Sequence, residues 1–451
     1  MSIENALPPS CRGQKGIRSD AMTDLRKRLE ENPYDLEKNP KGIIDLGSAV
    51  NELMLDDLSG WTKRNIKKGQ LKSTPGCKNQ QDHPSLSKIA ADLMNEHFRV
   101  RFPLTSDNIL AANGVTTLLD NLIYNITNEG DTILIPTPSY GMFAQDVWTR
   151  NGVRVVEVRC DDIHEERFRA PPPQDDSPVR TPEVVRRLEV AIEDDELSRK
   201  GRVGGVVLVN PDNPLCARHR IHLIVDEIYA ISAGDRFSSV LSLGLDANFR
   251  NVHVLWGLSK DFGLSDLRVG FLATYNAQVY EATRALTMFG QVSSFSATAA
   301  ATLLSDTKYL RNHYLLSFRR RLDKRRTMVE ETLDNYEIPH VKPEAGFFVF
   351  VDLFKWVELY LQKHGKGGDL VFLEYLMKQR VFLEPGQALF SQRTGWFRLN
   401  FGGEKESFKL GLQRLLHCLR SLDGQEHHES FTQAPELYFP PPKAMAHFLA
   451  V

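Results

Sequence analysis

Between Asp131 and Tyr275 the chain keeps returning to one pattern, a short and nearly continuous apolar run that stops on polar residues. "DTILIPTPSY", "VRVVEV", "GGVVLVN", "HLIVDEIYA", "VHVLWGLSK" and "RVGFLATY" all show it. A strand with one face in water alternates apolar and polar residues, whereas a strand covered on both faces is apolar throughout. Helix-compatible segments fall among these runs, including "NGVTTLLDNLIYNI" behind a glycine turn and "EVVRRLEVAI". Strands alternating with helices predict an α/β fold around a mainly parallel sheet flanked by helices.

One junction strains that scheme. Parallel neighbours need a crossover of about a dozen residues or more, usually a helix. Between "GGVVLVN" and "HLIVDEIYA" stands only "PDNPLCARHRI", which contains two prolines. There is little room in it for a covering helix.

Outside this region the character changes. At 451 residues the chain is long for one core, which predicts two domains. After Thr307, "LRNHYLLSFRRRLDKRRTMVEETLDNY" reads as one long charged amphipathic helix. "GFFVFVDL" and "GWFRLNFG" read as strands separated by a helix, "LVFLEYLMKQ". The expectation is a large domain over residues 56–306 and a smaller α+β domain over 307–451. The N-terminal segment 1–55 packs with the smaller one. "NPKGIIDLGSAVNELML" opens as loop and then becomes apolar and helix-compatible, and "SLSKIAADLMNEHF" reads as a helix capped by Ser85. Lys67 to Pro84 and the proline-rich "RAPPPQDDSPVRTP" read as loops. "RRRLDKRR" (Arg319 to Arg326) admits a nuclear address or a solvated helix face, and the solvated face is preferred. "HGKGGD" lacks the full phosphate-loop pattern and reads as a plain turn.

The balance of charge excludes several functions. A net charge of -2 with 41% apolar and 25% charged residues carries no bias toward nucleic acid or membrane. Cys11, Cys77, Cys160, Cys216 and Cys418 are scattered, without metal-ligand spacing or a disulfide framework, which suits a reducing compartment. The first twenty residues have no apolar core for a secretory signal, and no run is long enough to span a bilayer. A cytoplasmic protein is expected.

Ligands of open α/β sheets bind outside the carboxyl ends of the strands. Asn213, Asp226, Tyr229 and Lys260 each lie at or just past the end of an apolar run. Singly, each has a plain structural role: a helix cap, a core tyrosine, a surface amine. Their combination with "WGLSKDFGLSDLRVGF", where Arg268 follows Lys260 by eight residues, changes the weighting.

With "NPDNPL", "DEIY" and "SKDFGLSDLRVG", the chain resembles the fold-type I pyridoxal phosphate enzymes. Within them it is similar to the class I/II aminotransferase group, which includes 1-aminocyclopropane-1-carboxylate synthase and its fungal relatives. The resemblance runs from "NPKGIIDLG" to "FRLNFGG". It implies pyridoxal phosphate as cofactor, with Lys260 as the Schiff-base lysine and general acid/base, and Asp226 as the carboxylate on the pyridine nitrogen. Tyr229 and Asn213 would bond the ring hydroxyl, and Tyr140 in "PTPSYGMF" would stack on the ring. Arg268, the backbone N–H groups of Val115 and Thr116 at a helix N-terminus, and Ser259 would complete the cofactor-binding set. Arg398 in "GWFRLNF" would hold the substrate α-carboxylate bidentately. No metal is implied.

The chain departs from that pattern at five places. The relatives carry a helix where "PDNPLCARHRI" runs, so a piece on the order of 10–20 residues is missing. Cys216 stands at a family glycine, and an exon-boundary error or an internal deletion would explain both. Gly257 replaces a serine used on the phosphate, and Ser265 replaces a glycine or proline. The loop from Lys67 to Pro84 lacks the tyrosine that relatives lend across a dimer interface. Val50 replaces the glutamate that the synthase uses on S-adenosylmethionine.

The resemblance therefore implies an aminotransferase acting on an amino acid and a 2-oxo acid, as a homodimer, in the setting of fungal secondary metabolism. A carbon–sulfur lyase or a synthase-like elimination is the alternative, and an inactive product of a shortened gene is the third reading.

Overall fold

The structure is a computed structural model that describes residues 21–66, 84–161, 183–194, 201–209, 221–234, 237–243, 250–343, 345–365 and 367–424. In chain order it holds α1 (Ala21–Glu31), β1 (Ile44–Asp45), α2 (Leu55–Asn65), α3 (Pro84–His97), β2 (Ile109–Ala112), α4 (Val115–Ile126), β3 (Thr132–Thr137), α5 (Phe143–Trp148), β4 (Arg154–Arg159), α6 (Glu183–Ile192), β5 (Val203–Val209) and β6 (His222–Asp226). Then come β7 (Val252–Gly257), α7 (Leu258–Asp261), β8 (Gly270–Thr274), α8 (Ala277–Thr287), α9 (Ser294–Ser305) and α10 (Leu315–Asn335). The last group is β9 (His340–Val341), β10 (Phe348–Asp352), α11 (Phe354–His364), α12 (Gly368–Lys378), β11 (Val381–Phe382), β12 (Glu384–Pro385), β13 (Trp396–Asn400) and α13 (Lys405–Leu422).

A seven-stranded sheet runs in the order β2-β8-β7-β6-β5-β3-β4. Only β8 is antiparallel to its neighbours, so the sheet is mainly parallel, as the apolar runs imply. Its side chains feed two cores. Val206, Leu208, Val225 and Val254 belong to one, while Val207, Ile224 and Leu255 belong to the other beneath α4. β5 and β6 form a full parallel ladder, from Gly205 opposite His222 to Val209 opposite Asp226. Residues 210–221 connect them. Returning along a strand of five residues needs roughly 17 Å, which that length of chain spans without a helix. Asn213 and Cys216, and the shortened crossover itself, lie outside the described residues.

The four-stranded sheet β12-β13-β10-β9 is antiparallel. It buries Phe347, Val349, Val351, Phe397 and Leu399 on one face. β1 pairs in parallel with β11, Ile44 opposite Val381, so the run expected to be helix-compatible begins as a strand and becomes helix only at Leu55. Ser85 is the second residue of α3 and not its cap, because the helix starts at Pro84. β2, α1, α5, α8, α9, α11 and α13 have no counterpart in the sequence reading, which expected one helix between β10 and β13 where there are two.

The long charged helix is present, but it opens with a turn at Thr307–Tyr309 and a π turn at Leu310–Tyr314. That π turn aims the Tyr314 hydroxyl at the backbone oxygen of Asp261, 3.0 Å away. The preferred solvated face at Arg319 to Arg326 is present in Arg320, Asp323 and Lys324, which are exposed, but it does not extend to the whole stretch. Arg325 is buried over Phe408, and Arg321 reaches inward to Asp57 at 2.7 Å. Of these, Arg325 is the one packed into the interior, while Arg321 stays part-exposed. "HGKGGD" is a turn between α11 and α12, in which buried Asp369 accepts the Gly395 N–H. No described helix is long and apolar enough to cross a membrane. No group of described residues is arranged to hold a metal ion.

Candidate active site

The carboxyl ends of β5, β6 and β7 face the open side of the four-stranded sheet, leaving a cavity of about 400 Å³. It is lined by Val115, Thr116, Tyr140, Asp226, Tyr229, Ser259, Lys260, Arg268 and Arg398. Those are all the site residues expected from sequence except Asn213, which lies outside the described residues.

Asp226 ends β6 and is buried. Loss of hydration pushes its carboxyl up to about 7, against the pull of the Ile228 N–H at 3.2 Å and of the Lys260 charge. Lys260 sits in the short helix α7 after β7. Burial, with Arg398 and Arg268 nearby, brings its amine down to about 8, and its Nζ donates to the Ala49 oxygen at 2.8 Å. Tyr229, partly buried between Phe347 and Phe348, has its hydroxyl pushed above the ordinary range, first by burial. Tyr140 stands 43% exposed at the cavity edge, edge-on to Phe143.

Asp261 locks these turns together. Its carboxylate accepts the Ile231 and Ser232 N–H groups, both at 2.9 Å, and the Trp256 indole at 3.2 Å. The turn carrying Tyr229 is thereby fixed to the turn carrying Lys260.

A second corner suits an anion. α4 starts at Val115 behind Gly114, whose side of the helix end carries no capping side chain, so the first N–H groups point outward. Gly114 has φ +118, and a Cβ there would meet the Arg268 guanidinium at 2.4 Å. Arg268 itself is held in the left-handed region at φ +51, with Nη1 donating to the Ser265 oxygen. Gly257 brings no hydroxyl, and a Cβ at that position would lie 2.9 Å from the Val269 oxygen. The site accommodates the bare backbone tightly.

Arg398 donates from Nη2 to the Gly47 oxygen at 2.8 Å, and its Nε is buried without a hydrogen-bond partner. The loop Gly47–Asn51 thus touches Arg398 and Lys260 together, and Asn51 also donates to the Lys260 oxygen at 2.8 Å. Val50, at the position of the synthase glutamate, is 49% exposed.

The cavity also holds residues that sequence reasoning missed. Asp146 of α5 lines it, with its carboxyl pushed up to about 6 by burial and by Asp120. Phe348, Phe350 and Leu389 form one wall. "FFVFVDL" reads as a strand but does not show which face opens on a cavity, and nothing in "FAQDVW" marks Asp146.

A buried carboxylate, a buried amine of lowered pKa and an anion corner between them fit a flat cationic heterocycle carrying an aldehyde and a phosphate. Fold and family together place the chain in the fold-type I pyridoxal phosphate class. The profile of the family "Aminotransferase class I and II" matches residues 41–415, and the chain belongs to that family, whose enzymes depend on pyridoxal phosphate. It is 31% identical over 426 residues to the 1-aminocyclopropane-1-carboxylate synthase-like protein 1 of Mus musculus, covering 89% of this chain and 80% of that protein. To 1-aminocyclopropane-1-carboxylate synthase 7 of Arabidopsis thaliana it is 28% identical over 421 residues, covering 86% and 90%. An aspartate aminotransferase double mutant of Thermus thermophilus superposes with a TM-score of 0.71 over 92% of this chain and 100% of that one, at 18% identity; the likeness is one of fold.

Proposed function

We propose that the chain is an aminotransferase that exchanges an amino group between an amino acid and a 2-oxo acid. The observation that carries this reading is the convergence of Lys260, Asp226 and Arg398 on one cavity. Pyridoxal phosphate, when bound, supplies the electron sink that lets a proton leave the Cα of an amino acid. Asp226 would hold the proton at the ring nitrogen, and Val115, Thr116, Ser259 and Arg268 would hold the phosphate. Tyr140 would cover the ring, and Tyr229 with Asn213 its hydroxyl.

The remaining steps belong to this chain's own groups. With its pKa near 8, a fraction of the Lys260 amine is unprotonated at neutral pH and serves as nucleophile and then as base toward the Cα proton. Arg398, which lines the cavity, would be the forked donor for the substrate carboxylate. Val50 favours transfer over the synthase reaction, because it offers no carboxylate to S-adenosylmethionine. We place the boundary of the large domain near residue 306. Exposed Met288, Phe289 and Phe295, beside the anion corner, support a homodimer through that face.

The test is the protein purified with pyridoxal phosphate, with its visible spectrum compared with that of Lys260→Ala, then incubated with amino donors and a 2-oxo acid. The reading expects a band lost in the variant and a new amino acid formed. Release of ammonia without need for an acceptor would make it a lyase. A folded protein without the band would mean that the short β5–β6 connection has disabled the site.

A further inference from the structure

Resting on the cavity as the substrate site, we infer that the substrate is an amino acid with an uncharged aromatic side chain, seated against Phe348, Phe350 and Leu389, and that the site rejects dicarboxylic acids.

The argument starts from the alternation in the four-stranded sheet. β10 and β13 bury every second residue in the core, and the intervening positions Phe348, Phe350, Asp352, Trp396 and Arg398 are only partly covered. An antiparallel sheet with one open face ordinarily makes that face polar. Here three of the five positions are aromatic, and Phe348 and Phe350 line the cavity. Phe350 lies directly opposite Arg398 in the register, and the Arg398 guanidinium lies 5.1 Å from the centre of the Phe348 ring. Directly opposed residues share a face with their Cβ atoms roughly 5 Å apart. A carboxylate on Arg398 therefore delivers the rest of the molecule onto Phe350. That ring is braced by a 5.7 Å stack on Trp396. Leu389 is fixed at the far edge, where its oxygen accepts the Ser139 N–H at 2.9 Å.

Charge points the same way. Among the described residues the cations of the cavity wall are Lys260, Arg268 and Arg398, and each is already assigned. A second carboxylate would need another. The charge of Arg26 on α1 also reaches Tyr140, but Arg26 is bound to Glu384, whose side chain is 3% exposed. Moving Arg26 to a substrate would strand a buried carboxylate. Without it, a second carboxylate would be desolvated against phenylalanine.

The experiment uses the holoenzyme and two ligands without an amino group, 3-phenylpropanoate and glutarate, with affinities measured by titration calorimetry. 3-Phenylpropanoate should bind roughly tenfold tighter or more. Phe350→Leu and Phe348→Leu keep the wall apolar and folded but remove the rings, and should shrink that preference several-fold. Glu384→Gln should release Arg26 and improve glutarate. Glutarate binding as tightly as 3-phenylpropanoate, no binding of either, or a preference untouched by the leucine variants would overturn the inference. The visible band of the cofactor on Lys260, read from the same samples, separates the two readings. A band with the wrong preference removes the substrate class alone. The right preference without a band removes the cofactor reading and leaves the apolar pocket standing.

Discussion

The two sheets deliver their functional groups by opposite devices. In the seven-stranded sheet β6 and β7 are covered on both faces, so the groups with chemistry stand where strands stop: Asp226, Tyr229 and Lys260. In the four-stranded sheet Arg398 stands in mid-strand, and what matters is which face it takes. Strand ends tolerate a polar group because the backbone there is already leaving the core. A mid-strand group needs a face that is not core.

Lys260→Ala puts the first device to the largest test. Turnover should fall by about 10⁴-fold or more, since nucleophile and base disappear together. Melting temperature should stay nearly constant, because the amine bonds one loop oxygen, that of Ala49. A large loss of stability would mean that the lysine is structural and the comparison of devices is wrong.

The second device is tested by neighbours on opposite faces. Phe347 is fully buried, so Phe347→Ala should cost about 3–5 kcal/mol in denaturant unfolding. Phe350→Ala, on the open face, should cost about 1 kcal/mol or less while weakening ligand binding. Equal stability losses would mean that the open face is core after all.

This difference explains what could be read in advance. Strand ends are visible in a sequence as apolar runs cut off by Asn, Asp or Lys, so Asp226, Tyr229 and Lys260 stood out as candidates, while Val115, Thr116, Tyr140, Ser259 and Arg268 were reached only through the family resemblance. Faces are not visible where both carry aromatics: "FFVFVDL" shows no polar alternation, and its register against Arg398 exists only after β10 and β13 pair. Asp146 and Asp261 were illegible for another reason. A buried acid on a helix looks like a surface acid until tertiary packing removes its water. Ile44 misreads for the same kind of reason, since its strand partner Val381 lies far along the chain.

Among the parallel strands of the large sheet the shortest crossover is the one through residues 210–221. Restoring a helix-length insert between Cys216 and Ile221 should raise soluble yield and cofactor occupancy, by about twofold or more if a covering helix adds apolar burial to one face. Yield and occupancy are read from purified protein and its visible absorbance. No gain in either would show that β5 and β6, already in full register, need no such cover.

The smallest effect expected sets the two ends of β6 against each other. His222 opens the strand and Asp226 closes it, and burial drives both toward their neutral forms. The His222 ring falls to about 4, mainly by desolvation with Arg202 adding to it, and its Nδ1 lies 2.9 Å from Nε2 of His253. Asp226 rises to about 7. Between roughly pH 6.5 and 4 the unfolded chain binds a proton at His222 that the folded chain refuses, so this end loses stability as pH falls. Between roughly pH 4 and 7 the folded chain keeps a proton at Asp226 that the unfolded chain releases, so that end loses stability as pH rises. Melting of cofactor-free wild type, His222→Gln and Asp226→Asn across this range isolates each contribution. The wild type should lose a few degrees relative to His222→Gln toward acid, and a few relative to Asp226→Asn toward neutral pH. Two differences moving in the same direction would refute the idea that one strand carries opposite proton linkages at its two ends.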